Sequence, residues 1–250
     1  MRRFCLLGFS ILSLIACSKH QQHNVRSTEA NSIVHSRQVT TTDLYAKHTI
    51  AFVNQRGPQC SGVIIAPHFV LTAAHCEGFI QGTQVGFGLN LKTPGFETRA
   101  IKNITVHPDF CWPCMFDLDL KTTNDLILVE FEGDLPAGFE AVELAPKDLI
   151  SKDTLVHIVG YGRDENGNVD GNMKVTDKVP VNEVAESEFN TIEIDSGSCN
   201  GDSGGPVFIP QDGKLLLAGI VSRGDQACKA QGVYTIPMAH KDWIQRTTAE

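Results

Sequence analysis

Eight short runs of β-branched and apolar residues, each closed off by glycine, proline, asparagine or aspartate, constrain this chain more than any other feature. They are HTIAFVN (48–54), CSGVIIAPHFVLTAA (60–74), AIKNITVHP (100–108), DLILVEFE (125–132), LVHIVGYG (155–162), GPVFIP (205–210), KLLLAGIVSRG (214–224) and GVYTIP (232–237). Such runs read as strands, and strands spaced this way with turn residues between them specify an all-β sandwich or barrel. Only the last stretch, MAHKDWIQRTT, reads as a helix, with Met238, Trp243 and Ile244 on an apolar side. DENGNVDGN (164–172) is a polar loop, and no internal repeat is visible. A length of 250 residues, 42% of them hydrophobic and 20% charged, suits one large globular domain or two small ones. It excludes a disordered, collagenous or multi-pass membrane chain.

The first 32 residues stand apart. Arg2 and Arg3 precede the apolar run FCLLGFSILSLIA, too short to span a bilayer and matched to an export signal. The run ends in LIAC (Leu14–Cys17), which resembles the lipobox of bacterial lipoproteins. The resemblance implies cleavage after Ala16 and a lipid on Cys17, tethering the protein without a spanning helix. Ser18 after the cysteine implies the outer membrane; a soluble secreted protein is the alternative. Residues 1–16 are therefore expected to be a signal peptide. Residues 17–32 are a polar tether or propeptide, and residues 33–250 the folded domain. The net charge is −8, and the leader's Arg2, Arg3, Lys19 and Arg26 outweigh Glu29, so the body is more acidic still. An acidic body argues against nucleic acid as the main partner.

Eight cysteines must be placed. Cys5 lies in the signal and Cys17 at its end. Cys60, Cys76, Cys111, Cys114, Cys199 and Cys228 form an even set in an exported chain, the pattern of disulfides. CWPC at 111–114 is a lone C-x-x-C with no second pair or nearby histidines, so a zinc site is not expected.

Three further stretches carry chemistry: LTAAHC (71–76) with His75, NDLILVE (124–130) with Asp125, and GDSGGP (201–206) with Ser203. Together and in this order, over residues 33 to 246, they resemble the chymotrypsin/trypsin family of serine endopeptidases. The order His, Asp, Ser is that family's and not that of subtilisins or α/β-hydrolases. The resemblance implies two six-stranded antiparallel β-barrels with a cleft between them and a C-terminal helix. It also implies an acyl-transfer mechanism on protein or peptide substrates, with no metal or organic cofactor. In it, His75 is the general base for the Ser203 hydroxyl, and Asp125 orients the imidazole. Ser222 supports the aspartate, and the Gly201 and Ser203 N–H groups form the oxyanion hole.

The same resemblance pairs Asp202 with the ammonium of Ile33 after cleavage before SIVHS (32–36) by an unidentified activating protease, an order–disorder switch. Where the family has two glycines after Ile-Val, this chain has His35 and Ser36. It pairs Cys60 with Cys76 and Cys199 with Cys228. Cys111 and Cys114 have no counterpart and are expected to close a small loop. The floor of the primary pocket falls on Gly197, not on the aspartate of trypsins. With Ser198, Gly224 and Gly232 lining it, the pocket is expected to be uncharged and to take an apolar or aromatic side chain. A loop shift that brought Asp195 to the floor would instead favour a basic one. Arg223 replaces an aromatic of most relatives and could favour acidic residues upstream of the cut, stack on an aromatic, or lie in solvent. An intact His75, Asp125, Ser203, Gly201 and Asp202 favour an enzyme over a non-catalytic binding protein on the same fold, since fold alone does not prescribe function.

Overall fold

The computed structural model describes residues 36–93, 96–162, 170–176, 178–193, 197–198, 201–225 and 230–249. The expected roles of Cys17, Ile33, Asp195, Cys199 and Cys228 fall on residues outside these. Fifteen strands and two short α-helices are described. The strands are β1 (Ser36–Gln38), β2 (Thr49–Asn54), β3 (Gly57–Ala66), β4 (Phe69–Thr72), β5 (Gln84–Phe87), β6 (Glu97–Val106), β7 (Ile127–Phe131) and β8 (Glu143–Leu144). They continue as β9 (Leu155–Gly160), β10 (Lys174–Thr176), β11 (Val179–Val184), β12 (Glu188–Ile192), β13 (Pro206–Gln211), β14 (Lys214–Gly224) and β15 (Gln231–Thr235). Helix α1 is Glu77–Ile80 and α2 is Lys241–Thr248.

The strands close into two rings. The first runs β2-β3-β4-β7-β6-β5, every neighbour antiparallel. The second runs β9-β11-β12-β15-β14-β13, and Val207↔Ile158 and Phe208↔His157 close it between β13 and β9. Closure leaves no open edge within either ring. Strands β10 and β1 extend the second ring from β9, and β8 adds in parallel to β14. The all-β fold of two six-stranded barrels is thus as the sequence implies.

Side chains fill both barrels. In the first, Val70, Ile50 and Phe52 converge on Gly62 so tightly that a Cβ there would lie 2.7 Å from Val70 Cγ1. Phe189 and Tyr234 stack in the second, with ring centroids 5.0 Å apart. The C-terminal segment is a 3₁₀ turn, Pro237–His240, leading into α2, which is shorter than the sequence suggests. Trp243 and Ile244 are its buried side chains. Trp243 packs on His107, just beyond β6, at 4.8 Å between rings, so α2 clamps the end of the chain onto the first barrel.

Candidate active site

His75 lies in the 3₁₀ turn Ala74–Cys76 that follows β4. The Cys60–Cys76 disulfide ties that turn back to β3. Asp125 precedes β7 and is aimed inward by Asn124, whose φ of +51° is left-handed, a conformation asparagine tolerates better than most residues. Asn124 is held by its side-chain amide donating to the Asp109 carbonyl at 2.9 Å.

The Asp125 carboxylate is fully buried and receives three donors. The His75 backbone N–H donates to Oδ1 at 2.8 Å, and His75 Nδ1 lies 2.8 Å from Oδ2. The Ser222 hydroxyl donates to Oδ2 at 2.7 Å. Because a carboxylate only accepts, the contact assigns the proton to Nδ1 and makes Nε2 the basic nitrogen of the neutral ring. The His75 side chain retains 15% exposure, so the ring is reachable from the cleft while its anchor is not.

Ser203 sits on the turn before β13, and this turn is locked against the first barrel. Its carbonyl accepts from Ser61 N–H at 2.9 Å, and the Ser61 hydroxyl donates to the Gly201 carbonyl at 3.3 Å. Gly201 and Gly204 have φ of +100° and +77°. Gly204 is doubly required: a Cβ there would run into the Thr72 hydroxyl, lie 2.6 Å from the Ser61 carbonyl and 3.0 Å from the Ala73 nitrogen. The serine turn is therefore pressed against residues 72–73, two positions from His75. Asp202 beside it is fully buried and accepts from Gly162 N–H at 2.9 Å. Gly160 and Gly162 leave the room it needs, since a Cβ on Gly162 would sit 2.6 Å from its carboxylate.

Two buried acids escape the sequence reading. Glu188, on β12, is fully buried and pairs with Arg223 through both guanidinium ends at 2.9 Å. It also accepts from the Lys121 backbone at 2.8 Å and the Thr123 hydroxyl at 2.5 Å. Arg223 itself donates to the Asp117 and Asp119 carbonyls at 2.6 and 3.0 Å, and Gln231 donates to the Leu118 carbonyl at 3.1 Å. Arg223 is thus buried rather than solvent-borne. It grips the 111–123 loop that leads to Asp125. The Cys111–Cys114 disulfide closes a small turn in that loop, whose Met115 sulfur lies 3.8 Å from the Ser222 hydroxyl. Trp112 and Phe116 stand exposed on the loop.

The second acid, Glu193, lies against Gly197 and Gly232, two of the positions that the resemblance assigns to the pocket. A Cβ on Gly197 or on Gly232 would fall inside its carboxyl group. Burial pushes that carboxyl above the ordinary carboxylate range, against the pull of hydrogen bonds from Tyr234, Ser198 and Thr191. Neither acid was legible because EVAESEFNTIEID lacks the apolar alternation that marks an inward face.

Two closed six-stranded barrels with a carboxylate–imidazole pair from one and a serine turn from the other define the chymotrypsin-like class. The family model described as Trypsin matches residues 33–244, and the chain belongs to the trypsin family. It is 31% identical over 199 residues to Trypsin of Simulium vittatum, covering 71% of this chain and 76% of that protein. It is 28% identical over 220 residues to Serine protease filzig of Drosophila melanogaster, covering 76% of this chain but 12% of the relative. To Spermosin of Halocynthia roretzi it is 28% identical over 211 residues, 74% of this chain and 53% of the relative. The chain thus spans about an eighth and about half of the lengths of these last two.

Proposed function

We propose that this protein is a serine endopeptidase that hydrolyses peptide bonds in protein or peptide substrates through an acyl-enzyme. The observation that carries the reading is the buried Asp125 carboxylate on His75 Nδ1, with the Ser222 hydroxyl donating to the same Oδ2. With Nδ1–H engaged, Nε2 takes the Ser203 proton as the hydroxyl attacks the scissile carbonyl, then returns it to the departing amine. Asp125 keeps the ring in the correct tautomer and stabilises the imidazolium. The N–H groups of Gly201 and Ser203 receive the oxyanion, and the positive φ of Gly201 suits a turn that presents them on one side. Water then repeats the sequence on the ester.

Activation by cleavage before Ile33 is part of the proposal: the resemblance pairs the new α-amino group of Ile33 with Asp202, which is fully buried. The leader's LIAC supports export and a lipid anchor at Cys17 in the outer membrane, the alternative being a soluble secreted enzyme. The test is hydrolysis of a denatured protein substrate by wild type and by His75→Ala, Asp125→Asn and Ser203→Ala. Each substitution is expected to lower turnover by about 10⁴-fold or more. Undiminished hydrolysis by Ser203→Ala would assign the activity elsewhere.

A further inference from the structure

We infer that the Cys111–Cys114 disulfide is a redox site that controls the catalytic centre: a dithiol that opens it lowers turnover, and reoxidation restores it. The inference rests on the endopeptidase reading above and adds a mode of regulation to it.

The CWPC motif lies on the stretch between β6 and β7 that ends at Asp125, and its two cysteines are joined. Each end of the bond is tied to the site. At one end the Cys111 N–H donates to the Thr123 carbonyl at 2.9 Å, two residues before Asp125. At the other, Met115 follows Cys114 directly and sets its sulfur 3.8 Å from the Ser222 hydroxyl. That hydroxyl donates to Asp125 Oδ2 at 2.7 Å, the same oxygen that faces His75 Nδ1. The bond joins the backbone beside Asp125 to the side chain that borders its supporting hydroxyl.

Packing holds this turn weakly. No residue of the 3₁₀ turn Trp112–Phe116 is buried. Trp112 and Phe116 meet edge to face at 6.1 Å, yet both stand exposed. A segment with few buried contacts opens locally at small free-energy cost, so its closure depends on the covalent link. The chain from Asp117 onward is fixed separately, by Arg223 on the Asp117 and Asp119 carbonyls. Opening the bond frees residues 112–116 without unseating the rest of the loop.

The two described disulfides differ in access. Cys60 and Cys76 are 2% and 0% exposed, whereas Cys111 and Cys114 are half-buried. Exchange needs a thiolate to reach a sulfur, and exposed disulfides are the labile ones. One thiolate of a dithiol attacks a sulfur of the pair; the S–S bond breaks and the departing cysteine thiolate takes a proton. The second thiolate then attacks the mixed disulfide and closes the reductant into a cyclic disulfide, releasing the other cysteine, which is protonated in turn. Two electrons and two protons pass to the pair. Met115 is then free to leave Ser222, and the Ser222–Asp125–His75 line loses its border. Misplacing catalytic groups by about 1 Å can cost about 100-fold in rate.

The test uses a wild-type preparation whose Ser203 is labelled by a fluorophosphonate. It is treated with dithiothreitol under native conditions, then alkylated and analysed by peptide mass spectrometry. Cys111 and Cys114 are expected to be alkylated while Cys60 and Cys76 stay joined. In parallel, kcat for a peptide substrate is expected to fall by about 10- to 100-fold and to recover when the bond is reformed with an oxidised small-molecule disulfide. The Cys111→Ser/Cys114→Ser double variant is expected to start at the low kcat and to ignore the reductant. Alkylated Cys111 and Cys114 with unchanged kcat, or a pair that dithiothreitol leaves closed, overturns the inference and leaves the endopeptidase reading standing. An equal loss in the double variant assigns the effect to other cysteines and overturns it too. A chain that never labels overturns both readings. If the double variant fails to fold, alkylation and kcat of the wild type decide alone.

Discussion

Replacing Glu188 by leucine removes the carboxylate that joins the second barrel to the loop before Asp125. Four donors converge on it: both guanidinium ends of Arg223, the Lys121 N–H and the Thr123 hydroxyl. Leucine leaves the Arg223 charge buried with only the Asp117 and Asp119 carbonyls. Breaking one side of such a pair costs about 3–5 kcal/mol. For a domain of this size, where each kcal/mol moves Tm by about 2–4 °C, the melting temperature should fall by about 6–20 °C. Thermal and urea unfolding of Glu188→Leu, Arg223→Met and the double variant give the cycle. The double variant should be markedly more stable than the sum of the singles predicts, because it removes the stranded charge. Activity should fall with stability, since the loop released by Glu188 ends at Asp125. A Glu188→Leu protein melting within about 2 °C of wild type, or singles that simply add, would refute the reasoning.

Two further outcomes follow from the structure. Gly204→Ala should destabilise the protein by more than about 2 kcal/mol and abolish activity, because strain at positive φ adds to a backbone collision with the Ser61 carbonyl; Thr72→Ala, tested by activity assay in the double variant, should not rescue it. His240 is held down to about 4, by burial first and by the neighbouring His107 second, with Glu188 pulling weakly the other way. Below pH 6.5 the unfolded chain takes up a proton that the folded one refuses until about pH 4, so stability should drop across that window by up to about 1.4 kcal/mol per pH unit. Urea unfolding at pH 7 and pH 5 should show the drop, and His240→Phe should reduce it.

The strands were legible where both faces are apolar or β-branched. The runs at 48–54, 125–132, 155–162, 205–210, 214–224 and 232–237 each contain one strand of the barrels. The run at 60–74 hid a hairpin, because Pro67 and His68 turn the chain between β3 and β4 without interrupting the hydrophobic pattern. Strands β5, β10, β11 and β12 were not visible. They are short, β11 contains Pro180, and β12 alternates Glu188 and Asn190 with Phe189 and Thr191, burying both faces. The same reversal hid the acids. Glu188 and Glu193 look like surface residues in the chain and become interior ones only when β12 is enclosed between β11 and β15. His75, Asp125 and Ser203 were visible because each sits in a local motif whose neighbours, a cysteine, a buried strand and a run of glycines, serve the same chemistry.

Covalent labelling tests the central claim most directly. The chain cleaved before Ile33, exposed to a fluorophosphonate and analysed by peptide mass spectrometry, should carry one adduct, on Ser203. Ser203→Ala should carry none, and His75→Ala should react slower by about 100-fold or more, the loss of a general base. A chain cleaved before Ile33 that leaves Ser203 unmodified, or a His75→Ala protein that labels at the wild-type rate, would contradict the account.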